Sequence, residues 1–554
     1  MARTLISKGL VYDGTGAEPF AADILVEGER IVDIGPAIPR AEADLVLDAG
    51  GLAVAPGFVD LHTHFDAQVF FDPMLTSSCF HGVTSTVGGN CGFSLAPYSA
   101  EHRTLVLHML RDLEDMPVET LDVAVPAAAE SFAEYLTAFE QQGPMLNFGS
   151  FIGHSTVRIA AMGADHRREA TAEEIERMAA LVKEALEAGA LGFATKTLQS
   201  ARPSPSQYAS REETLALLRV LKEHGRGVAM FNAGGNFDLE QVYAHQAEIG
   251  VPFTWIALLA LNSGAHRKNL SLHEKWYGKG ADVRPQVSCR PLTAQCNMRI
   301  PSIFRSEDFS RLNGTTDAER ISAYSDPEWR RAASASVVGT DRQPIDWSKV
   351  LVLASGSMPD AIGRDLGGVA DERGMEPLAL LLDMACADGL ETRIQTSYGN
   401  EDRGEVARLL NVTGAVLGLS DAGAHPAQTC DAVLPTDLLG NWVRQGGVMP
   451  LATAVHKLTQ EPAELIGLQQ RGRIAVGNYA DIVVFDPVTV GPGEIRLCDD
   501  MPGGQTRLLA DRPAGMHHIL VNGTITRRDE RTEYAPAGKI LRSTGVRSPQ
   551  VATV

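Results

Sequence analysis

Two histidines one residue apart close a short apolar run, Ala55-Pro56-Gly57-Phe58-Val59-Asp60-Leu61-His62-Thr63-His64. In an extended strand residues i and i+2 face the same side, so His62 and His64 project their imidazoles together, as two ligands of one ion require. A borderline cation such as zinc accepts such a pair. An H-x-H also arises by chance in a chain with 15 histidines. Taken alone, the pair leaves the two readings level.

Such a pair needs a scaffold that brings other donors to it. From Pro56 onward, apolar runs alternate with longer helical patterns, which is the texture of βα units and a parallel sheet. Runs ending in polar or small residues predict strands at 58–64, 83–88, 146–154, 190–196, 227–231, 251–259, 283–287 and 416–421. Eight is the number that a (β/α)8 TIM-like barrel requires. Between the last two lie about 130 residues, read either as an inserted lobe at about 292–345 or as a segment that hides a further strand at Val350–Leu353. Two helices carry start and stop signals. Thr171 with Glu174, and Ser210 with Glu213, each offer a capping box, and Gly189 and Gly225 end the periodic stretches.

Residues 1–52 read as short antiparallel strands, and the same texture returns after residue 470 in RGRIAVGNYADIVVFDP and HHILVNGTITRR. The chain is therefore expected to re-enter one small β-domain from both ends. The boundaries drawn are 1–55 and 456–530 for that domain, 56–455 for the barrel, and 531–554 for a tail that wraps the surface or moves freely.

In a parallel barrel the carboxyl ends of the strands converge on one mouth, so residues remote in sequence become neighbours. The strand-end candidates are His62, His64, Cys91, His154, Lys196, Asn232 and Asp421, with His425 four residues further on. Arg284 and Arg290 flank the seventh strand, and Arg290 is nearer its carboxyl end. A guanidinium there would grip a substrate carboxylate with two prongs, and a plain ion pair is the competing reading.

Composition narrows the classes. The 554 residues carry a net charge of −20 and a pI near 5.2, which argues against nucleic acid or an anionic membrane as partner. The N-terminus lacks the apolar core of a secretory signal, and a cytoplasmic protein acting on a small molecule is expected, with a homo-oligomer left open. Seven cysteines without a C-x-x-C pair suggest buried thiols rather than a disulfide framework, with Cys91 set apart.

APGFVDLHTHFD, VTSTVGGNCGFSLAP, GHSTVR, LGLSDAGAH and LTQEPAELIGLQQRGRIAVGNYADIVVFDP, in that order, resemble the amidohydrolase superfamily, and within it the N-acyl-D-amino-acid deacylase branch. The resemblance implies a metal-dependent barrel with a composite β-sandwich made by the N- and C-terminal segments. It matches His62, His64, Cys91 and Asp421 to metal-site residues, with Cys91 in a bridging place, and it implies a divalent metal, zinc foremost, as one or two ions. A thiolate is a strong zinc ligand, which makes the match chemically coherent. The family also places histidines at the ends of strands 5 and 6, where this chain has Asn232 and the stretch Thr254-Trp255-Ile256-Ala257-Leu258-Leu259. A complete two-metal set is therefore not implied.

Several roles stay open at this level. Lys196 is read as carboxylated, as a substrate-contacting ammonium or as structural. Asn232 either orients substrate or water or ligates weakly, and His154 either donates to the transition state or is satisfied by its neighbours. Phe231, Trp255 and Leu258 are expected to give the pocket an apolar lining. The leading expectation is hydrolysis of a C–N amide bond, as in N-acyl-D-amino acid deacylation, with Asp421 as acid and base. A cyclic amide, carbamate or lactone substrate, a deaminase, and a catalytically lapsed binding protein are the competitors.

Overall fold

In the computed structural model, residues 2–200, 202–339 and 343–543 are described. The N-terminal alternation produces β1 (Arg3–Val11), β2 (Phe20–Glu27), β3 (Arg30–Gly35), β4 (Leu45–Asp48) and β5 (Ala53–Pro56). Ile6, Val11, Ile24, Val26 and Ile31 are buried on one face, as a period of two demands. β2 pairs antiparallel with β1 and β3, whereas β4 and β5 run parallel to β1. The expectation of antiparallel pairing throughout is corrected there. Both parallel partners return to β1 through longer connections, whereas tight hairpins produce antiparallel neighbours.

The central parallel region falls into two ladders, of three and six strands. Its first strands are β6 (Phe58–Asp60), β7 (Val83–Gly88), β8 (Asn147–Ser150), β9 (Ile152–Gly153), β10 (Gly192–Lys196), β11 (Val228–Asn232), β12 (Phe253–Trp255) and β13 (Val283–Val287). β6, β7 and β8 pair in order, and β9 to β13 pair in order. Only Phe151 separates β8 from β9. The helix Ala172–Ala188 begins with the capping box of Thr171 and Glu174 and ends at Gly189. Ser210 caps the helix Arg211–His224 by accepting from the Glu213 N–H. The Glu213 carboxylate does not complete a box there, because Arg158 and His154 hold it instead.

The long connection after β13 folds on its own core. β14 (Leu292–Asn297), β15 (Leu351–Ala354) and β16 (Arg393–Gly399) form an antiparallel sheet. Buried residues from Ala294 to Ile394, including Phe309, Tyr324, Val352 and Leu381, pack together under it. The lobe thus extends well past residue 345, and the run at 350 belongs to it. β17 (Val416–Leu417) then pairs parallel with β13.

The last strands are β18 (Ile482–Phe485), β19 (Arg496–Met501), β20 (Gln505–Leu509), β21 (Met516–Val521), β22 (Thr524–Arg528) and β23 (Arg531–Thr532). β18 inserts beside β5, so one nine-stranded sheet runs β23-β22-β21-β18-β5-β1-β2-β3 with β4 on β1. Segments near both chain ends build it. Beyond β23 the chain lies along β8, where Phe148 N–H donates to the Lys539 carbonyl and Leu541 N–H to the Phe148 carbonyl. The part of the tail from 544 on falls outside the described residues. No helix among the described residues is long and apolar enough to cross a membrane.

Candidate metal centre

The histidine pair lies just past β6 and is held from both sides. Thr63 N–H donates to the Val87 carbonyl at 3.0 Å, and His64 N–H donates to the Ala422 carbonyl at 2.7 Å. The turn after β7 then carries Cys91 into the same place. Gly89 opens that turn at φ 69°, and a Cβ there would meet the Phe151 carbonyl oxygen at 2.0 Å, so only glycine fits. The Asn90 amide nitrogen, fully buried, lies 2.9–3.4 Å from the carbonyl oxygens of Val87, Leu61 and Thr63. It ties the Cys91 turn to the backbone that carries His62 and His64. Cys91, Asp421 and His425 all have positive φ, at 55°, 47° and 47°. Non-glycine residues in this region cost on the order of 1–3 kcal/mol each, and such strain gathers at functional sites.

The donors converge. One ring nitrogen each of His62 and His64 and the Cys91 Sγ all lie within 4.8 Å of one another, and all three residues are buried. Cys91 Sγ is 3.6 Å from His62 Nε2. Asp421 Oδ1 is 3.2 Å from His62 Nε2 and 3.6 Å from His64 Nε2. The tautomer of His62 is set from behind. Its Nδ1–H donates to Gln286 Oε1 at 2.9 Å, and the Gln286 amide nitrogen is fixed in turn by Thr254 Oγ1 at 3.3 Å. In the neutral ring Nε2 then presents a lone pair to a thiol and a carboxylate. Burial pushes the Cys91 thiol up, but His62 and His64 outweigh it and hold the thiol below its ordinary value. Burial likewise opposes ionisation of Asp421, yet the hydrogen bond from His64 and the charge of His62 hold its carboxyl well below the usual range. Buried nitrogen, sulfur and oxygen atoms facing one another are compensated by protons on the imidazoles or by a metal cation among them, and this donor set fits a divalent metal.

Two acidic residues adjoin the cluster. Glu114, the last residue of the helix Arg103–Glu114, places Oε2 3.8 Å from His64 Nε2 and 4.0 Å from His425 Nε2. Asp115 accepts from His425 Nδ1 at 2.7 Å and from Arg202 at 2.6 Å. Above them a cleft of about 250 Å³ is lined by Asp115, Lys196, Arg202, Tyr398 and His425 among others. Burial pushes the Tyr398 hydroxyl up to about 12, with the Asp421 charge adding to it, so it stays a protonated donor at neutral pH.

The sequence-derived candidates separate here. His62, His64, Cys91 and Asp421 form the cluster, and Lys196 and His425 line the cleft beside it. Lys196 has no ion pair among the described residues, and its ammonium lies 5.3 Å from the Phe93 ring centroid. Asn232 is level with Lys196 in the β10–β11 register, and its backbone carbonyl accepts from Thr197 and Leu198. His154 is not brought into the group. Both ring nitrogens are occupied, Nδ1 by Thr195 Oγ1 at 2.8 Å and Nε2 by Glu213 Oε1 at 2.9 Å, which leaves nothing for a substrate. Arg290 is likewise committed, with Nε 2.9 Å from Asp431 and Nη1 3.2 Å from Asp437, so it forms the ion pair rather than a free clamp.

The expected apolar lining is corrected at Phe231 and Trp255. Phe231 packs on Phe237 and Phe253, and the Trp255 indole N–H donates to the Tyr243 hydroxyl on the helix Leu239–Ile249. Both point outward to the helices, because alternate residues of a strand face opposite sides. Thr254, on the opposite face to Trp255, meets Gln286 and through it His62. Glu114, Asp115, Gln286, Arg202 and Tyr398 escaped the sequence reading. Gln286 alone had a signal, a polar residue inside the buried run Val283–Val287.

A model described as the amidohydrolase family matches residues 45–332 and 361–525. The chain belongs to the amidohydrolase family. It is 30% identical to D-aminoacylase of Alcaligenes xylosoxydans xylosoxydans, covering 98% of this chain and 97% of that protein. It is also 30% identical to N-acyl-D-glutamate deacylase of the same organism, covering 97% and 96%. Among solved structures, N-acyl-D-glutamate deacylase from Bordetella bronchiseptica, complexed with zinc and a phosphonate mimic of the tetrahedral intermediate, aligns with TM-score 0.67 at 26% identity over 98% of this chain and 99% of that one. A D-aminoacylase structure concerned with a binuclear metal centre aligns with TM-score 0.68 at 28% identity over 97% and 99%.

Proposed function

We propose that this protein is a metal-dependent hydrolase of C–N amide bonds, acting on N-acyl-D-amino acids at a site built from His62, His64, Cys91 and Asp421. The observation that carries the reading is the convergence of two imidazole nitrogens, a thiol and a carboxylate, with Gln286 fixing the His62 tautomer. The relatives named for D-aminoacylase and N-acyl-D-glutamate deacylase supply the substrate class. In this reading the two parallel ladders, continuous through Phe151 and bridged between Thr63 and Ala422, form one (β/α)8 barrel over about 56–455. The lobe of β14 to β16 is inserted in it, and the nine-stranded sheet corresponds to the composite sandwich.

A bound divalent cation, zinc by the preference of this N/S/O donor set, supplies a Lewis acid for the carbonyl and lowers the pKa of a water at the site. The chain's own residues do the rest. Asp421, whose side chain keeps 39% of its surface exposed, takes the proton of the attacking water at Oδ2 and returns it to the departing nitrogen. The Lys196 ammonium receives the substrate carboxylate, and the Tyr398 hydroxyl donates to a substrate oxygen across the cleft. Asn232 orients the amide from the neighbouring strand.

The test is metal analysis of the purified protein together with assays on N-acyl-D- and N-acyl-L-amino acids. Bound divalent metal and D-selective release of the amino acid are expected. Full activity from a metal-free sample would sink the mechanism. Activity confined to cyclic amides or to the L-series would sink the substrate assignment.

A further inference from the structure

Glu114 has an environment that the four-residue site does not explain. Its carboxylate is 5% exposed, and neither oxygen makes a hydrogen bond among the described residues. Its nearest cationic neighbours are imidazole nitrogens at 3.8 Å and 4.0 Å, too far for hydrogen bonds. A buried carboxylate left in this way is costly unless a charge compensates it.

His425 faces the same point and is prepared as His62 is. Its Nδ1–H donates to Asp115 Oδ2 at 2.7 Å, so Nε2 presents its lone pair to Glu114 Oε2. A carboxylate behind an imidazole is the arrangement that orients metal-bound histidines and raises their basicity. Asp115 is anchored in turn by Arg202 at 2.6 Å, and the His425 backbone N–H donates to the Glu114 carbonyl at 2.7 Å. Consecutive residues at the end of one helix thus provide an inward carboxylate and the support for its imidazole partner. Metal–ligand bonds of about 2.0–2.2 Å allow ligand atoms to stand up to roughly 4 Å apart, and both separations lie within that reach.

We propose that Glu114 and His425 form a second divalent-cation position beside the His62/His64/Cys91 cluster. This rests on the metal-dependent reading above. It gives the chain a two-ion centre whose second position is built from a helix end and the loop after β17, not from the ends of β11 and β12, where there is no histidine.

Metal-stripped protein is titrated with cobalt(II) and with zinc, with bound equivalents read by mass spectrometry after dialysis and the cobalt spectrum recorded. Wild type is expected to take up two equivalents. E114Q and H425Q are expected to retain one, and both to keep the thiolate-to-cobalt charge-transfer band from Cys91. D115N is expected to keep both positions while weakening the second by about 10–100-fold, the usual effect of losing a supporting hydrogen bond. Saturation of wild type at one equivalent overturns the proposal, as does retention of two by both E114Q and H425Q. In those cases Glu114 is only the counter-ion of a protonated His425. If a variant fails to fold by circular dichroism, the wild-type stoichiometry and the other variant decide. Absence of any bound equivalent and of the charge-transfer band in wild type would instead refute the underlying metal-dependent reading, a distinguishable result.

Discussion

A carboxylate oxygen and an imidazole lone pair 3.2 Å apart attract each other only through a proton or a cation, and the residue-scale behaviour of this site follows from that. Asp421→Asn keeps the shape but loses the base. The expected outcome is a fall in kcat of about 10²–10⁴-fold, the range for removing a positioned acid–base group, with most of the bound metal retained. A variant that kept its rate would show that the proton goes elsewhere. Lys196→Met keeps the length of the side chain without its charge. It is expected to raise KM for an N-acyl amino acid by roughly 10–100-fold, as loss of a charged hydrogen bond of about 1.5–3 kcal/mol implies, and to leave the corresponding carboxamide substrate unaffected. An equal loss on both substrates would remove Lys196 from carboxylate recognition.

At the scale of elements, the site depends on short, strained turns carried by strands whose other face is packed on helices. Gly423, after Asp421, has φ 98°, and a Cβ there would meet the His64 carbonyl oxygen at 2.6 Å, so the turn that delivers Asp421 lies directly on the histidine segment. The supporting layer is less tolerant of change than the cleft. Arg158 is fully buried and holds Glu213 together with the carbonyls of His166 and Arg168. Arg158→Met would strand the Glu213 carboxylate beside His154. The expected cost is about 3–5 kcal/mol, read as a lowered midpoint in urea unfolding, whereas a change under 1 kcal/mol would mean that the triad contributes little. These layers also show what was legible. The Thr171–Glu174 box and the Gly189 stop were readable because caps are local signals. The fate of Glu213 was not, because its partners arrive from a helix more than 50 residues earlier.

Across the whole molecule, the sheet built from both chain ends is locked to the central parallel region by buried polar contacts. Asp481, paired with Arg471, accepts from the Asn522 backbone at 2.8 Å, and Asn522 donates to Asn147 at the start of β8 at 2.7 Å. His81 makes a second junction, between Thr436 Oγ1 at 2.7 Å and the Ala510 carbonyl at 3.0 Å. Burial, reinforced by the positive charges of Arg527 and Arg290, holds its pKa down to about 4 against an ordinary value of 6.5, with the Ala510 hydrogen bond opposing. Since the folded pKa lies below the unfolded one, this group's contribution is complete above pH 6.5 and is lost progressively as pH falls towards 4. The full effect is roughly 3 kcal/mol. Thermal unfolding followed from pH 7 to pH 4 is expected to show His81→Gln losing less stability over that interval than wild type. Parallel curves for the two proteins would dismiss the junction as a pH-sensitive one.

The sequence by itself determined the classes of chemistry and the general order of the elements. The H-x-H spacing, the Gly-Asn-Cys-Gly turn and the polar ends of apolar runs are local, and local signals survive without a fold. That is why His62, His64, Cys91 and Asp421, found as strand-end residues, also form the cluster. What only the tertiary structure decided is which polar groups were already taken. Arg290 and His154 each had two open readings in the sequence, and in the structure both are satisfied by partners remote along the chain. Glu114 looked like one acid among the 69 Asp and Glu residues and is buried against two imidazoles. Burial and partnership are long-range properties, and a residue's availability for chemistry is set by them and not by its type.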